Sequence, residues 1–212
     1  ATWRARDLPE DVAHHARRAL VDWFAALLAG AWREPATLMS AALEDETRGG
    51  GGAVCYVSGR RVPVRHAALI NGTASHTVEF DDIYRYAVYH PGCPTIAAAL
   101  AAAQARGADM NGLLRALAAG YEVSCRIGLA VQPSHYDFWH TTGTVGTFGA
   151  AIFTGVMKTL RPRRWTWPRH GPHSRITHCW TFMKACCCWI PAIRLKPKRC
   201  SAVTYATIPS KP

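Results

Sequence analysis

The chain has 212 residues, 49% of them hydrophobic and 18% charged. A sequence of this size and polarity can bury a substantial core, which excludes a fully disordered chain. No run of about 18 apolar residues is present to form a membrane-spanning helix, and no fixed short period marks a repeat protein, a collagen or a coiled coil.

Net charge is +11, but it is unevenly placed. Residues 1–157 hold 13 Arg, no Lys and all 14 acids; residues 158–212 hold 12 Lys and Arg and no acid. The composition therefore divides the chain into a nearly neutral, Ala-rich body over 1–157 and a basic tail over 158–212.

The body reads as a series of helices. Leu8-Pro9-Glu10-Asp11 opens the first, with Pro and acids suited to a helix start. Val12, Ala16, Leu20, Trp23, Phe24 and Leu27 then recur at helical spacing, and Gly30 is expected to end it. Asp22 lies within that apolar face, where a structural role is expected. Residues 36–46 predict a second, short helix. The Gly49–Gly52 run breaks it, and Ala53–Val57 reads as a short strand or an extended link. Helical spacing resumes over 65–78.

A polar, aromatic loop follows from Glu79 to Gly92. Pro94–Arg106 predicts an Ala-lined helix suited to close packing. Gly107-Ala108-Asp109 turns the chain, and Met110–Val131 predicts a long helix. A second loop, Gln132–Phe138, leads through Trp139-His140 to a small-residue helix over Thr141–Met157. Thr144, Gly146 and Gly149 in that helix imply close approach of another backbone or a ligand. The expected fold class is all-α, a helical-bundle portion with an irregular C-terminal tail.

The tail carries 5 of the 8 Cys, 4 of the 8 Trp and 7 of the 13 Pro. Three readings compete for it. Contiguous Cys186, Cys187 and Cys188 do not reproduce the paired spacing of structural zinc sites. Arg163, Arg164, Trp165, Trp167 and Arg169 interleave charge with rings that can stack on bases, but no amphipathic period or known nucleic-acid module accompanies them. An out-of-frame or unfolded end of a GC-rich gene accounts best for the composition. Cys55, Cys93 and Cys125 are scattered through the body. They read as buried thiols of a reducing compartment, so a cytoplasmic setting is expected.

Two loops can carry chemistry. The first offers Glu79, Asp81, Asp82 and His90; the second offers His135, Asp137, His140, Thr141 and Thr142. Each combines carboxylates with imidazoles, the groups that transfer protons near neutral pH. Arg85 and Arg126 could grip a carboxylate with a guanidinium fork. No H-E-x-x-H, nucleophile elbow or phosphate loop is present.

The string Asn71-Gly72-Thr73-Ala74-Ser75-His76-Thr77-Val78-Glu79-Phe80-Asp81-Asp82, followed by His90-Pro91-Gly92, resembles the MmgE/PrpD family. Three further segments resemble it in order and spacing: Ala19 to Gly30, Leu117-Ala118-Ala119-Gly120-Tyr121-Glu122-Val123 through Gly128, and Trp139-His140-Thr141-Thr142-Gly143-Thr144 through Ala151.

The resemblance implies a large helical domain with a smaller α/β domain, usually in a homodimer, and a lyase site that needs no metal or other cofactor. The expected partner is a small polycarboxylate, not nucleic acid or a membrane. The implied reaction is elimination next to a carboxylate, as in dehydration of a 2-methylcitrate-like hydroxy acid. By resemblance His140, His90, Glu79 and Asp81 are catalytic, with His140 moving the proton, His90 as partner acid or substrate ligand, and Glu79 or Asp81 orienting them. Arg85, Thr141 and Thr142 are expected to bind substrate.

Some features depart from the family pattern. Its decarboxylase branch carries Asp and Thr where Glu79 and Ile83 stand, which points to dehydration over decarboxylation. No counterpart of a downstream Lys-bearing K-x-L-H-x-G segment is found, so a truncated chain lacking part of the pocket is expected. The alternative is a non-catalytic fragment whose basic tail binds polyanions.

Overall fold

The structure is a computed structural model and describes residues 8–159. The basic tail, and every expectation attached to it, lies outside the described residues.

The first helix, α1 (Glu10–Gly30), starts after Pro9 with Glu10 and Asp11 in its first turn. The acids face the positive end of the helix dipole. Its periodic apolar residues form the expected buried stripe: Leu20, Trp23, Phe24 and Leu27 are all essentially inaccessible. Gly30 does not end the helix by its conformation, because it is the last helical residue itself. It is there for packing: a Cβ at Gly30 would collide with the Ala74 carbonyl.

The predicted helix over 36–46 is two pieces, α2 (Ala36–Ala42) and α3 (Glu44–Thr47), with Leu43 between them. The extended segment near residue 53 is one arm of a hairpin. β1 (Ala53–Cys55) pairs antiparallel with β2 (Arg60–Val62), Ala53 opposite Val62. Gly59 supplies a positive φ of 72° in the turn, a conformation glycine adopts without Cβ strain. The second arm, Arg60–Val62, is too short and too polar for its alternation to be visible in sequence.

The next helix, α4 (Val64–His76), leads into the first loop, and α5 (Gly92–Arg106) follows it. The side chain of Asn71 accepts from Tyr56 N at 2.8 Å and donates to Val54 O at 2.8 Å, fastening the hairpin to α4. Gln104 performs the same task from α5, accepting from Val54 N at 2.8 Å and donating to the Tyr56 hydroxyl at 3.1 Å. These buried amides are satisfied, as burial requires. Gly107, with φ 63°, caps α5. Asp109 then caps α6 (Met110–Val131) by accepting from Gly112 N at 2.8 Å. A side-chain cap such as that of Asp109 contributes about 1 kcal/mol.

The last described helix, α7 (Thr141–Thr159), packs on α5 and α6. The close approach expected at its glycines is to protein. A Cβ at Gly146 would lie 2.6 Å from Pro94 Cγ, and one at Gly149 would lie 2.6 Å from Thr95 Oγ1 and 3.2 Å from Ser124. Alanines carry much of the buried surface of α5, including Ala97, Ala99, Ala101 and Ala103. Their small size lets α4, α6 and α7 close around that helix.

The described residues are thus all-α apart from the hairpin. None of their helices is long and apolar enough to cross a membrane, and Cys55, Cys93 and Cys125 are free thiols.

Candidate active site

The site is made by what α4, α5 and α7 present at the ends where the two polar loops meet. α4 ends at His76. Five residues on, Asp81 turns inward, its side chain only 1% exposed. His76 Nδ1 lies 3.1 and 3.2 Å from the two oxygens of that carboxylate. His90 Nδ1 approaches the same carboxylate at 3.5 Å. That is too long for a formed hydrogen bond, and His90 Nδ1 is buried without any hydrogen-bond partner. One buried acid therefore faces two imidazoles and is firmly bonded to one of them.

His140 completes the group. It stands immediately before α7, exposed, with its ring centroid 6.4 Å from that of His76. The His76 and His90 rings are 4.8 Å apart. His76 thus neighbours both of the histidines expected to work together. Tyr136 flanks the outer edge, its ring 5.8 Å from His140.

Hydrogen bonds hold the two loops together. His90 N donates to Thr142 Oγ1 at 3.1 Å. At the end of α6, the Gln132 side chain donates to Ala87 O and to Thr141 Oγ1, each at 3.0 Å. His135 Nε2 lies 2.7 Å from Thr144 Oγ1, which fixes the second loop to the first turn of α7.

The other expected site residues are distributed as follows. Thr141 and Thr142 are buried, and their hydroxyls are engaged with Gln132 and His90. Glu79 is exposed beside His76, at a positive φ of 50°. That φ is uncommon for a residue other than Gly, Asn or Asp. Arg85 is exposed, with its guanidinium 5.1 Å above the Tyr86 ring. Arg126 pairs on the surface of α6 with Glu122, Nε to Oε1 2.6 Å.

Two participants were not singled out from sequence. His76 sits inside the motif string but at a helix end, where a lone His gives no signal of its own. Tyr121 belongs to the apolar stripe of α6, and nothing in that stripe marks its hydroxyl. It donates to Asp82 Oδ2 at 2.9 Å.

The electrostatics follow from this crowding. Asp81 raises the pKa of His76, chiefly through their hydrogen bond; burial opposes that shift, and the charges of Asp81 and Glu79 add to it. Burial pushes the Asp82 carboxyl up to about 6, against the lowering effect of bonds from Tyr121 and Gly92. Asp22 is raised as well, by partial burial and then by the charge of Asp81. Asp22, expected within the apolar face of α1, is exposed at the rim of that stripe.

Chemically, the group offers an imidazole whose protonated form a carboxylate favours, a second, partly buried imidazole, and a third imidazole open to solvent. These suit proton donation and abstraction at one place. The donor atoms of His76, Asp81 and His90 lie within 4.8 Å of one another, a set that could also hold a cation.

The MmgE/PrpD N-terminal domain matches residues 1–167. The chain belongs to the MmgE/PrpD family. It is 31% identical to a cis-aconitate decarboxylase-like protein of Aspergillus oryzae (strain ATCC 42149 / RIB 40), over 74% of this chain and 34% of that relative. The chain therefore spans about a third of the length of the curated relative it matches. Within the family match fall both loops and every residue of the histidine group.

Proposed function

We propose that this MmgE/PrpD chain carries the proton-transfer part of a lyase site acting on a small hydroxy polycarboxylate of the 2-methylcitrate type. The observation that carries the reading is the convergence of three histidines from separate elements: His76 and His90 meet buried Asp81, and the His140 ring lies 6.4 Å from that of His76.

Elimination of water next to a carboxylate needs a base for a carbon-bound proton and an acid for the departing hydroxyl. His140 has the exposure to take the proton from a bound substrate. His90, held by Thr142 through its backbone, is the partner that protonates the hydroxyl. Asp81 favours the protonated form of the His76 imidazole beneath them, which gives the site an N–H donor that can face an anionic substrate and the enolate-like charge of the transition state. A carboxylate that orients an imidazole fixes its tautomer, the role assigned here to Asp81. Glu79 reinforces the charge on His76.

Decarboxylation is the second reading, favoured by the name of the Aspergillus relative. Ile83 stands where the decarboxylase branch carries Thr, and its side chain offers no hydrogen bond, which supports the dehydration reading. The test gives the chain 2-methylcitrate and cis-aconitate separately and follows both by NMR. Dehydration predicts an alkene product from 2-methylcitrate that His140→Ala and His90→Ala abolish. Carbon dioxide release from cis-aconitate, with 2-methylcitrate untouched, would select the other reaction. Turnover of either compound that survives both substitutions would reject the site.

A further inference from the structure

We infer that Asp82 is a positioning residue, setting the place of the His90 imidazole by tying the start of α5 to the Tyr121 hydroxyl. The inference rests on the lyase reading for its purpose, but its geometry stands apart from it.

Asp81 and Asp82 are adjacent and face different partners. Asp81 meets the imidazoles. Asp82 instead takes hold of the chain that carries one of them: Oδ1 accepts from Gly92 N at 3.0 Å, two residues after His90. Oδ2 accepts from Tyr121 Oη at 2.9 Å, on α6. One side chain thus links the start of α5 to α6 at the turn His90-Pro91-Gly92.

The fit at that turn is tight. A Cβ at Gly92 would collide with the Asp82 carboxylate and lie 3.1 Å from Tyr121 Oη. Glycine is therefore needed at 92 for the carboxylate to reach the backbone. His90 makes no side-chain hydrogen bond through Nδ1. Its ring position relative to Asp81 must then be set by its backbone, which Thr142 holds at residue 90 and Asp82 at residue 92. A carboxylate is a costly group to bury for structure alone. Asn would satisfy the same two partners, its carbonyl accepting from Gly92 and its amide donating to Tyr121.

The test reads ring positions, not turnover, so it stands whether or not the chain dehydrates anything. NMR spectra with labelled histidines would follow the through-space contact between the His76 and His90 rings, whose centroids are 4.8 Å apart. Asp82→Asn is expected to keep that contact. Asp82→Ala is expected to lose it at unchanged helix content, and Tyr121→Phe to weaken it. If Asp82→Ala does not fold, Tyr121→Phe decides: an unchanged ring contact overturns the proposal, and a weakened one supports it. An unchanged contact in a folded Asp82→Ala protein overturns it outright. A lost ring contact together with undiminished turnover would leave the positioning intact and reject the catalytic role of His90 instead.

Discussion

The backbone N–H of His90 donates to the hydroxyl of Thr142 at 3.1 Å, a bond between residues 52 apart in sequence. It joins the two histidine-bearing loops, and it explains why a buried threonine follows His140 at this spacing. The hydroxyl is used inside the protein, on the backbone of the partner loop.

Replacing Thr142 by Val keeps the shape and removes the acceptor. The buried N–H left behind is expected to cost about 1–3 kcal/mol. Thr142→Ser should restore most of it. Urea unfolding of the three proteins checks this. Equal midpoints for Val and Thr would show that the bond contributes nothing.

Two glycines of α7 should respond in opposite senses to alanine. Gly149→Ala places a methyl 2.6 Å from Thr95 Oγ1 and 3.2 Å from Ser124, and is expected to destabilise by roughly 1–3 kcal/mol through overpacking. At Gly143 a Cβ meets nothing within 4 Å, so Gly143→Ala should stabilise by about 0.5–1 kcal/mol through helix propensity. Thermal melts read both signs. A shift in the same direction for both would contradict the packing described for this helix.

Most helices were legible because burial follows their periodicity. In α1, the spacing of Leu20, Trp23, Phe24 and Leu27 specifies a buried stripe whatever the partner helix is. The hairpin was only half legible. Three-residue strands carry too little alternation, and Arg60 and Arg61 look like loop. In the site, the loops were found because Asp81, Asp82, His90 and His140 cluster in sequence and resemble a family pattern. His76 and Tyr121 were missed because their roles depend on what faces them. A terminal helix residue and a residue in an apolar stripe become polar partners only when three helices converge. Asp22 stands out in the sequence as an acid in an apolar stripe, and only the fold shows it exposed at the rim of that stripe.

Ionising Asp82 should weaken the fold. Its pKa is raised from 3.8 to about 6, chiefly by burial. A carboxyl raised on folding favours the protonated native state. Its contribution is therefore complete below the unfolded value and is lost as pH rises through about 6. The two values imply a change on the order of 3 kcal/mol across that window. Asp82→Asn should accordingly gain on the unaltered chain between pH 4 and pH 7.5, as followed by paired denaturant curves. A constant difference over that range would contradict the burial described for the carboxyl.

His76 should titrate above the ordinary histidine range, and Asp81→Asn should bring it down. With the carboxylate gone, burial acts on the imidazole almost unopposed, since only the weaker effect of the Glu79 charge remains among the raising causes. The sign for stability is the reverse of a depressed acid. The His76–Asp81 contribution is present at low pH and fades as pH rises through the raised imidazole value. An NMR titration of the His76 ring in both proteins gives the shift, and an unmoved midpoint in Asp81→Asn would show that the pair is not coupled.

The central claim is that His76, His90 and His140 share one polycarboxylate-binding, proton-transfer site. Titrating 2-methylcitrate into the chain while following every histidine ring by NMR tests it most directly. The account predicts saturable shifts at these three rings with a single dissociation constant, abolished together by Asp81→Asn, while exposed His15 stays still. Shifts confined to surface histidines, or three rings moving with unrelated constants, would contradict it.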